Sequence, residues 1–185
     1  MSCSATHAEL GLEIARDLGR EIDDTAIAVL AAELRAGDAH EELESVSRAC
    51  AGFAHGEALL LGDVLTQRAG HPSAVALAVA AAAQRAGLAI DVVGHEDRLL
   101  LAHPEATLVV DPAGGEIFDG RTLGADLRWR CAHETAATVL DRIAERAERT
   151  GDLALALAAR AVTLRLPLEE SYRAREHRRL LARLN

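Results

Sequence analysis

The hydrophobic pattern of the chain is dominated by one uninterrupted apolar run, which covers residues 74–83. Pro72 precedes this run and Gly87 follows it. Proline is favoured in the first turn of a helix, where its missing N–H costs nothing, and glycine commonly ends a helix. The pattern therefore predicts a helix from Pro72 to Ala86. Because this helix is apolar almost all round, we expect it to be central and buried.

Shorter helices are predicted before it, because apolar residues recur at helical spacing between polar and glycine breaks. They cover residues 8–19, a stretch between Asp23 and Gly37, residues 40–50, and a short stretch from Asp63 that closes at Gly70. These segments predict an N-terminal helical lobe over residues 1–69.

The pattern after Gly87 changes to short apolar stretches separated by polar turns, which is typical of strands. We expect strands at 88–93, 98–102 and 107–111, with a short edge strand at 116–118. Only residues 103–106 separate the second strand from the third, so these two should form an antiparallel hairpin. The central helix and this sheet make up the predicted middle region, residues 70–125.

The last part of the chain, residues 126–185, is predicted to be helical. Amphipathic stretches cover 136–150, 153–166 and 170–184. The spacing of Gly151, Ala156, Ala159 and Pro167 resembles one tetratricopeptide unit, and a single unit must pack on a neighbour. We expect the three regions to form one compact unit.

Composition narrows the classes of function. The formal net charge is −9 and all 20 basic residues are arginine, without a basic cluster, so nucleic acid and anionic membrane are poor partners. No apolar run reaches the roughly 20 residues that span a bilayer. The three cysteines are far apart and the N-terminus has no signal pattern, which favours a cytoplasmic protein. Cys131 and His133 are the closest metal-type pair, and we expect no metal and no cofactor.

Several local strings, in their order, resemble the SirB-type (invasion-regulator) family of transglutaminase-like proteins. They are DVL at 63–65, RAGHP at 68–72, AQRAGL at 83–88 and DP followed by GG at 111–115, together with the terminal helical pair. The resemblance extends over most of the chain. It implies an α+β fold: a papain/transglutaminase-like core with a helical lobe, a buried central helix, a small antiparallel sheet and C-terminal tetratricopeptide-like helices.

The resemblance also implies where a catalytic triad would stand. A cysteine at the start of the buried helix would be the nucleophile, because the helix dipole lowers the pKa of its thiol. A histidine would begin the first hairpin strand as the base, and an aspartate at the end of the paired strand would orient it. Here the helix start offers Pro72, Ser73 and Ala74, the histidine position holds Arg98, and only Asp111 matches.

The hairpin gives Arg98 and Asp111 a predicted relationship. A four-residue loop places Ala102 opposite Thr107, and counting back places Arg98 opposite Asp111. Side chains directly opposite on antiparallel strands have Cβ atoms roughly 5 Å apart. We therefore predict an Arg98–Asp111 ion pair. Since arginine stays protonated near neutral pH, this pair would be structural or would bind an anion rather than shuttle protons.

Other candidate residues leave alternatives open. Ser73 is either a weak nucleophile or a cap or first-turn residue of the helix. His71 and His95 are either an acid–base or metal pair or surface loop residues, and His95 could replace the family histidine if the loop were longer. Cys50 and Cys131 are most simply small buried apolar residues.

Residues 128–130, Arg-Trp-Arg, are the one place where basic and aromatic side chains interleave. They could bind an anionic group or a partner. The alternative is an amphipathic anchor, with Trp129 partly buried and the two arginines in water. The acidic residues 96–97 and Glu105 could line an acidic rim, but they are more simply interpreted as solvated turns.

Two functions follow from these interpretations. The first is a catalytically degenerate transglutaminase-like protein that acts as a regulatory or accessory subunit and binds another protein subunit. The second is an enzyme, or half of a two-protein enzyme, that reuses the former triad cleft: Arg98 binds a small anionic ligand, and Asp111, His95 or His71 handles protons. A pocket at the helix start lined by Arg98, Asp111 and a histidine would favour the enzyme.

Overall fold

The computed structural model of the chain describes residues 5–19 and 24–168. The elements before the sheet are α1 (His7–Asp17), α2 (Thr25–Glu33), α3 (Ala39–Ala51), β1 (Ala54–His55), α4 (Leu61–Gln67), β2 (Ala69–Gly70) and α5 (Pro72–Ala86). The remaining elements are β3 (Asp91–His95), β4 (Arg98–Ala102), β5 (Leu108–Val110), β6 (Ile117–Asp119), a 3₁₀ segment (Gly120–Asp126), β7 (Arg128–Arg130), α6 (Ala132–Thr150) and α7 (Leu153–Arg165).

Helix α5 is the centre of the molecule and has the predicted bounds, Pro72–Ala86. Every residue from Ser73 to Ala83 is buried, and helices α1 to α4 and strands β3 and β4 all contact α5. Gly87 ends the helix at φ 77°, a left-handed conformation that glycine adopts without steric cost. Since most of the buried side chains are alanines, the neighbouring elements approach α5 closely.

Five antiparallel strands form the main sheet, in the order β6-β5-β4-β3-β7. Side chains alternate between its two faces. The inner face packs on α5 and contributes Val92, Leu99, Leu101 and Val110 to the main core. The outer face has its own small cluster, in which Val93, Leu100, Ala102 and Val109 are covered by Phe118, Leu123 and Leu127. The mixed helix-and-sheet fold and its small antiparallel sheet agree with the expected α+β class.

The strand bounds correct several predictions. The first strand is Asp91–His95 rather than 88–93, and the chain reverses through Glu96 and Asp97, with Glu96 at φ 53°. The next loop is residues 103–107, one residue longer than predicted. Strand β7, at one edge of the sheet, and the parallel pair β1–β2 were not predicted from the pattern.

The C-terminal part of the described chain is a helical hairpin. Helix α6 begins at Ala132, four residues before the predicted start, and Gly151 at φ 80° ends it. Helix α7 folds back on α6, and Arg160 on α7 lies 2.8 Å from Asp141 on α6. The helix predicted at 170–184 lies outside the described residues. Among residues 5–19 and 24–168, no helix has the length and apolar character needed to cross a bilayer.

Candidate functional site

The start of α5, where a nucleophile would stand, is built from His71 and Ser73. His71 caps the helix, because its Nδ1 accepts the backbone N–H of Ser73 at 3.2 Å. Nδ1 is therefore the acceptor, and in the neutral ring the proton is on Nε2. Burial lowers the pKa of His71, and the positive charge of Arg142 lowers it further. Ser73 is only 3% exposed, so the structure places it as a buried first-turn residue.

Arg142 of α6 links this helix start to the β3–β4 turn. Its Nη2 lies 2.8 Å from Oδ2 of Asp97 and also donates to the carbonyl oxygen of Asp97 at 3.3 Å. Its Nη1 donates to Glu145 at 3.1 Å. The hydrogen bond from Arg142 lowers the pKa of Asp97. Because Arg142 also acts electrostatically on His71, α5, α6 and the turn meet at one place.

A surface cleft of about 590 Å³ lies at this meeting point. Its lining contains three arginines and three glutamates, and consists of Glu57, Leu59, His71, Arg142, Glu145, Arg146, Glu148 and Arg149. Two of the arginines pair with glutamates of the lining. Arg142 donates to Glu145, and Arg146 donates to the carbonyl of Glu57 and lies 3.7 Å from its carboxylate. The cleft is therefore polar but nearly balanced in charge.

The predicted ion pair between Arg98 and Asp111 is present, between Nη2 and Oδ2. The predicted register is wrong by two residues, however. Leu101 pairs with Val110 and Ala102 with Val109, and continuing this register places Leu100, not Arg98, opposite Asp111. A shift of two residues keeps every side chain on its original face. Arg98 therefore still pairs with Asp111, as a diagonal neighbour two residues before the directly opposite Leu100.

Alternation along the strands separates this pair from the helix start. Arg98 is directly opposite His95, and both share the outer face with Leu100, whereas α5 packs on the inner face. Alternation thus places His95 and Arg98 on the outer face, where Arg98 pairs with Asp111 just after β5. His71 and Ser73 are at the start of α5, which packs on the inner face. Among the described residues that line the cleft at the helix start, His71 is present and Arg98 and Asp111 are not.

Neither described cysteine belongs to the first turn of α5. Cys50 is fully buried in α3, and burial, with a smaller contribution from the charge of Asp111, raises the pKa of its thiol to about 12. Cys131 is half-buried where β7 passes into α6, and Glu134 accepts its backbone N–H at 3.0 Å. Cys3 lies outside the described residues. Within the described ranges, no group of three or more His, Cys, Asp or Glu side chains could hold a metal ion.

Residues 128–130 form strand β7, which corrects the interpretation as an amphipathic anchor. Trp129 is 52% exposed, and the Arg130 side chain is only 17% exposed. Arg130 lies over Gly94 of β3, where the missing Cβ leaves room for the guanidinium group. The predicted burial was therefore inverted between Trp129 and Arg130. Asp97 is a solvated turn residue, as interpreted, with a side chain that is 75% exposed, and it also binds Arg142.

Sequence reasoning missed the charged residues of α6, namely Arg142, Glu145 and Arg146. The amphipathic pattern of residues 136–150 identifies their helix but does not show which polar side chain faces a distant turn. It also missed two buried polar groups. His7 is 1% exposed and contacts Gln84 at 2.9 Å and Thr135 at 3.3 Å, and His103 lies 3.8 Å from the buried carboxylate of Glu42.

These features define a mixed helix-and-sheet protein in which a buried helix packs on a small antiparallel sheet and a polar cleft opens at the start of that helix. A family model described as the transglutaminase-like superfamily matches residues 21–149. The match covers more than half of the chain, and the chain belongs to the transglutaminase-like superfamily. Comparison of the chain with curated proteins and with solved structures gave no match.

Proposed function

We propose that this chain is a catalytically degenerate, SirB-type member of the superfamily that acts as a protein-binding regulatory or accessory subunit. The observation that carries the proposal is the first turn of α5, where the side chains are those of Pro72, Ser73 and Ala74. Acyl transfer in this geometry needs a thiolate at the helix start. Cys50 does not supply one, because its thiol is buried and has a pKa of about 12.

The histidine position of the triad, and the histidine nearest the helix start, support the same conclusion. Arg98 carries a permanent charge and cannot accept a proton near neutral pH. His71 is near the helix start, but its Nδ1 is occupied by the N–H of Ser73. Its ring is thereby used as a helix cap, so that its role is to hold the first turn of α5.

The C-terminal hairpin supports a role in protein binding. We interpret α6 and α7 as one tetratricopeptide-like unit, a kind of helical pair that packs on a neighbour. Helices α1 and α5 already contact α6. Leu153 at the start of α7 is 62% exposed. A single exposed leucine is common on protein surfaces, so Leu153 only marks where a partner would contact the hairpin.

The test is an amine-incorporation assay, in which the purified chain is mixed with a fluorescent primary amine and a glutamine-containing protein. We expect no incorporation above the buffer control, and no change for Ser73→Ala. Ser45→Ala is the matched control, because Ser45 and Ser73 are both 3% exposed. Incorporation that Ser73→Ala removes and Ser45→Ala leaves intact would contradict the proposal. Affinity purification from the native host should also yield a stable protein partner.

A second function is favoured by the cleft of about 590 Å³ beside His71. A cleft of this size accommodates a small ligand, so the chain could be one half of a two-protein enzyme that reuses it, with His71 handling protons. Arg98 and Asp111 do not line this cleft, so Arg98 would hold an anionic group only at a separate place. Under that proposal, His71→Ala or Arg98→Ala should lower the activity of the isolated complex. If both variants leave that activity intact, the second function fails and the accessory role stands.

A further inference from the structure

The outer face of the sheet carries an open cleft of about 350 Å³, separate from the one at the start of α5. Its floor is the sheet, through Val93, Ala102 and Val109, and its wall is the 3₁₀ segment. Gly124 in that wall has φ 75° and ψ −157°, a conformation that is essentially restricted to glycine. A Cβ at this position would meet nothing within 4 Å, so the wall opens on free space here.

Trp129 stands beside this cleft and is 52% exposed. It is directly opposite Val93, so alternation places its ring on the outer face. Strand β7 has one hydrogen-bonded neighbour among the described strands, β3, and is therefore an edge strand. An exposed edge can accept an extended peptide as an additional strand, and an adjacent pocket then receives alternate side chains of that peptide.

The charged residues that line the cleft indicate which kind of peptide would bind there. Arg121 and Arg128 are the two charged residues in its lining, and both are basic, although the whole chain has a net charge of −9. Arg121 is paired with Asp119 at 2.9 Å. Arg128 is exposed and forms no ion pair with any residue that the structure describes. Local positive charge at the rim favours an acidic ligand and sets its orientation.

We infer that the outer-face cleft and strand β7 bind an extended acidic segment of a partner protein, whose apolar side chain enters the cleft beside Trp129. This inference rests on the proposed function and names the partner's binding element. The peptide backbone pairs with β7, and alternate leucine- or valine-type side chains fill the cleft, whose wall carries Arg121. The intervening carboxylates point to the opposite face, on which alternation places Arg128.

The chain has a single tryptophan, so its fluorescence reports on this site directly. The probe is a capped seven-residue peptide in which leucine and valine alternate with glutamate. We expect a saturable blue shift of Trp129 emission, because the ring loses water contact. The same peptide with lysine for glutamate, or with serine for leucine and valine, should leave the spectrum unchanged. A short dicarboxylic acid should also have no effect.

The second part of the experiment reverses the charge of the two arginines that line the cleft. Arg121→Glu or Arg128→Glu should weaken peptide binding by about tenfold, as expected for charges that complement a ligand. Arg165→Glu is the matched control, since Arg165 is 64% exposed and also pairs with one aspartate, Asp17, on the helical side of the molecule. Its peptide affinity should stay within about twofold of wild type. Circular dichroism checks that each variant is folded.

Absence of a blue shift would overturn the inference, as would equal shifts with the lysine peptide or with the dicarboxylic acid alone. An equal loss of affinity in Arg165→Glu and the rim variants would overturn it too, since the effect would then be non-local. These outcomes are independent of amine incorporation, which reports on the start of α5. The inference can therefore fail while the accessory role stands, and the reverse result is equally recognisable.

Discussion

The Arg98–Asp111 pair allows a quantitative test of whether these residues stabilise the structure. The Arg98 side chain is 49% exposed and that of Asp111 is 18% exposed, so solvent screens much of their attraction. Pairs of this kind contribute about 0.2–1 kcal/mol to the free energy of unfolding. Asp111 has a second role, because its Oδ1 accepts the N–H of Ala113 at 2.9 Å. That hydrogen bond is worth about 1 kcal/mol more.

The expected losses are therefore unequal. Arg98→Ala should lower the free energy of unfolding by about 0.5 kcal/mol, and Asp111→Ala by about 1.5 kcal/mol. Asp111→Asn keeps an oxygen acceptor for the N–H of Ala113 and removes only the charge, so it should resemble Arg98→Ala. The double variant Arg98→Ala, Asp111→Ala should reveal a coupling energy of about 0.5 kcal/mol.

Urea denaturation at neutral pH measures these quantities. With a slope of about 2 kcal/mol per molar urea, the midpoint should fall by about 0.25 M for Arg98→Ala and about 0.75 M for Asp111→Ala. A coupling energy above about 2 kcal/mol would refute the reasoning, because it would be the behaviour of a desolvated pair. Equal losses in Asp111→Asn and Asp111→Ala would show that the bond to Ala113 contributes nothing.

Two further predictions concern other parts of the fold. Gly115 has φ 77°, and a Cβ there would clash with the carbonyl oxygen of Ser47 on α3. Gly115→Ala should therefore lower the free energy of unfolding, measured by urea denaturation, by more than about 2 kcal/mol. A Cβ at Gly114 meets open space, so Gly114→Ala should lower it by less than about 0.5 kcal/mol. Equal losses would exclude the clash. Burial lowers the pKa of His7 below its ordinary 6.5, so the unfolded chain binds a proton that the folded chain does not. The free energy of unfolding should therefore fall as the pH drops below about 6.5, by at most about 1.4 kcal/mol per pH unit. His7→Gln should remove this component from urea midpoints measured between about pH 7.5 and 5. An identical pH dependence in both proteins would contradict the assignment.

The central helix could be predicted to the residue because its signals are local. Pro72, the apolar run and Gly87 act through backbone geometry and burial, and neither depends on a distant element. The cap is different. His71 fills a role usually taken by Ser, Thr, Asp or Asn, so the pattern gave no reason to assign its ring to the helix end.

The sheet could be predicted only in part, because distant contacts set its register. The loop after β4 is held by His103, whose ring accepts the N–H of Glu105 at 3.1 Å and lies 3.8 Å from Glu42 on α3. Residues after β5 are tied to α3 by the hydroxyl of Ser47, which donates to the carbonyl of Gly115. Such contacts leave no periodic signal, and they shifted the hairpin by two residues.

The face of each side chain was nevertheless preserved, because the shift was even. This explains how an ion pair could be predicted from a wrong register. The same pattern could not place the pair relative to α5, since alternation gives two faces without saying which one is covered. The face of the ion pair depends on which leucines of β4 enter the main core. Had Leu100 and Ala102 packed on α5 instead of Leu99 and Leu101, Arg98 would be on the inner face.

We expect a partner to bind on the outer face of the sheet rather than in the cleft at the start of α5. In the cleft at the start of α5, Arg142 already donates to Asp97 and Glu145, and His71 already caps the helix. A ligand there would have to compete with these hydrogen bonds. On the outer face, half of the Trp129 side chain is still in contact with water. A ligand would gain the free energy of covering that apolar surface, and the one internal pair that it meets is the exposed pair of Arg121 and Asp119. We therefore expect the proposed accessory role to use the outer face of the sheet.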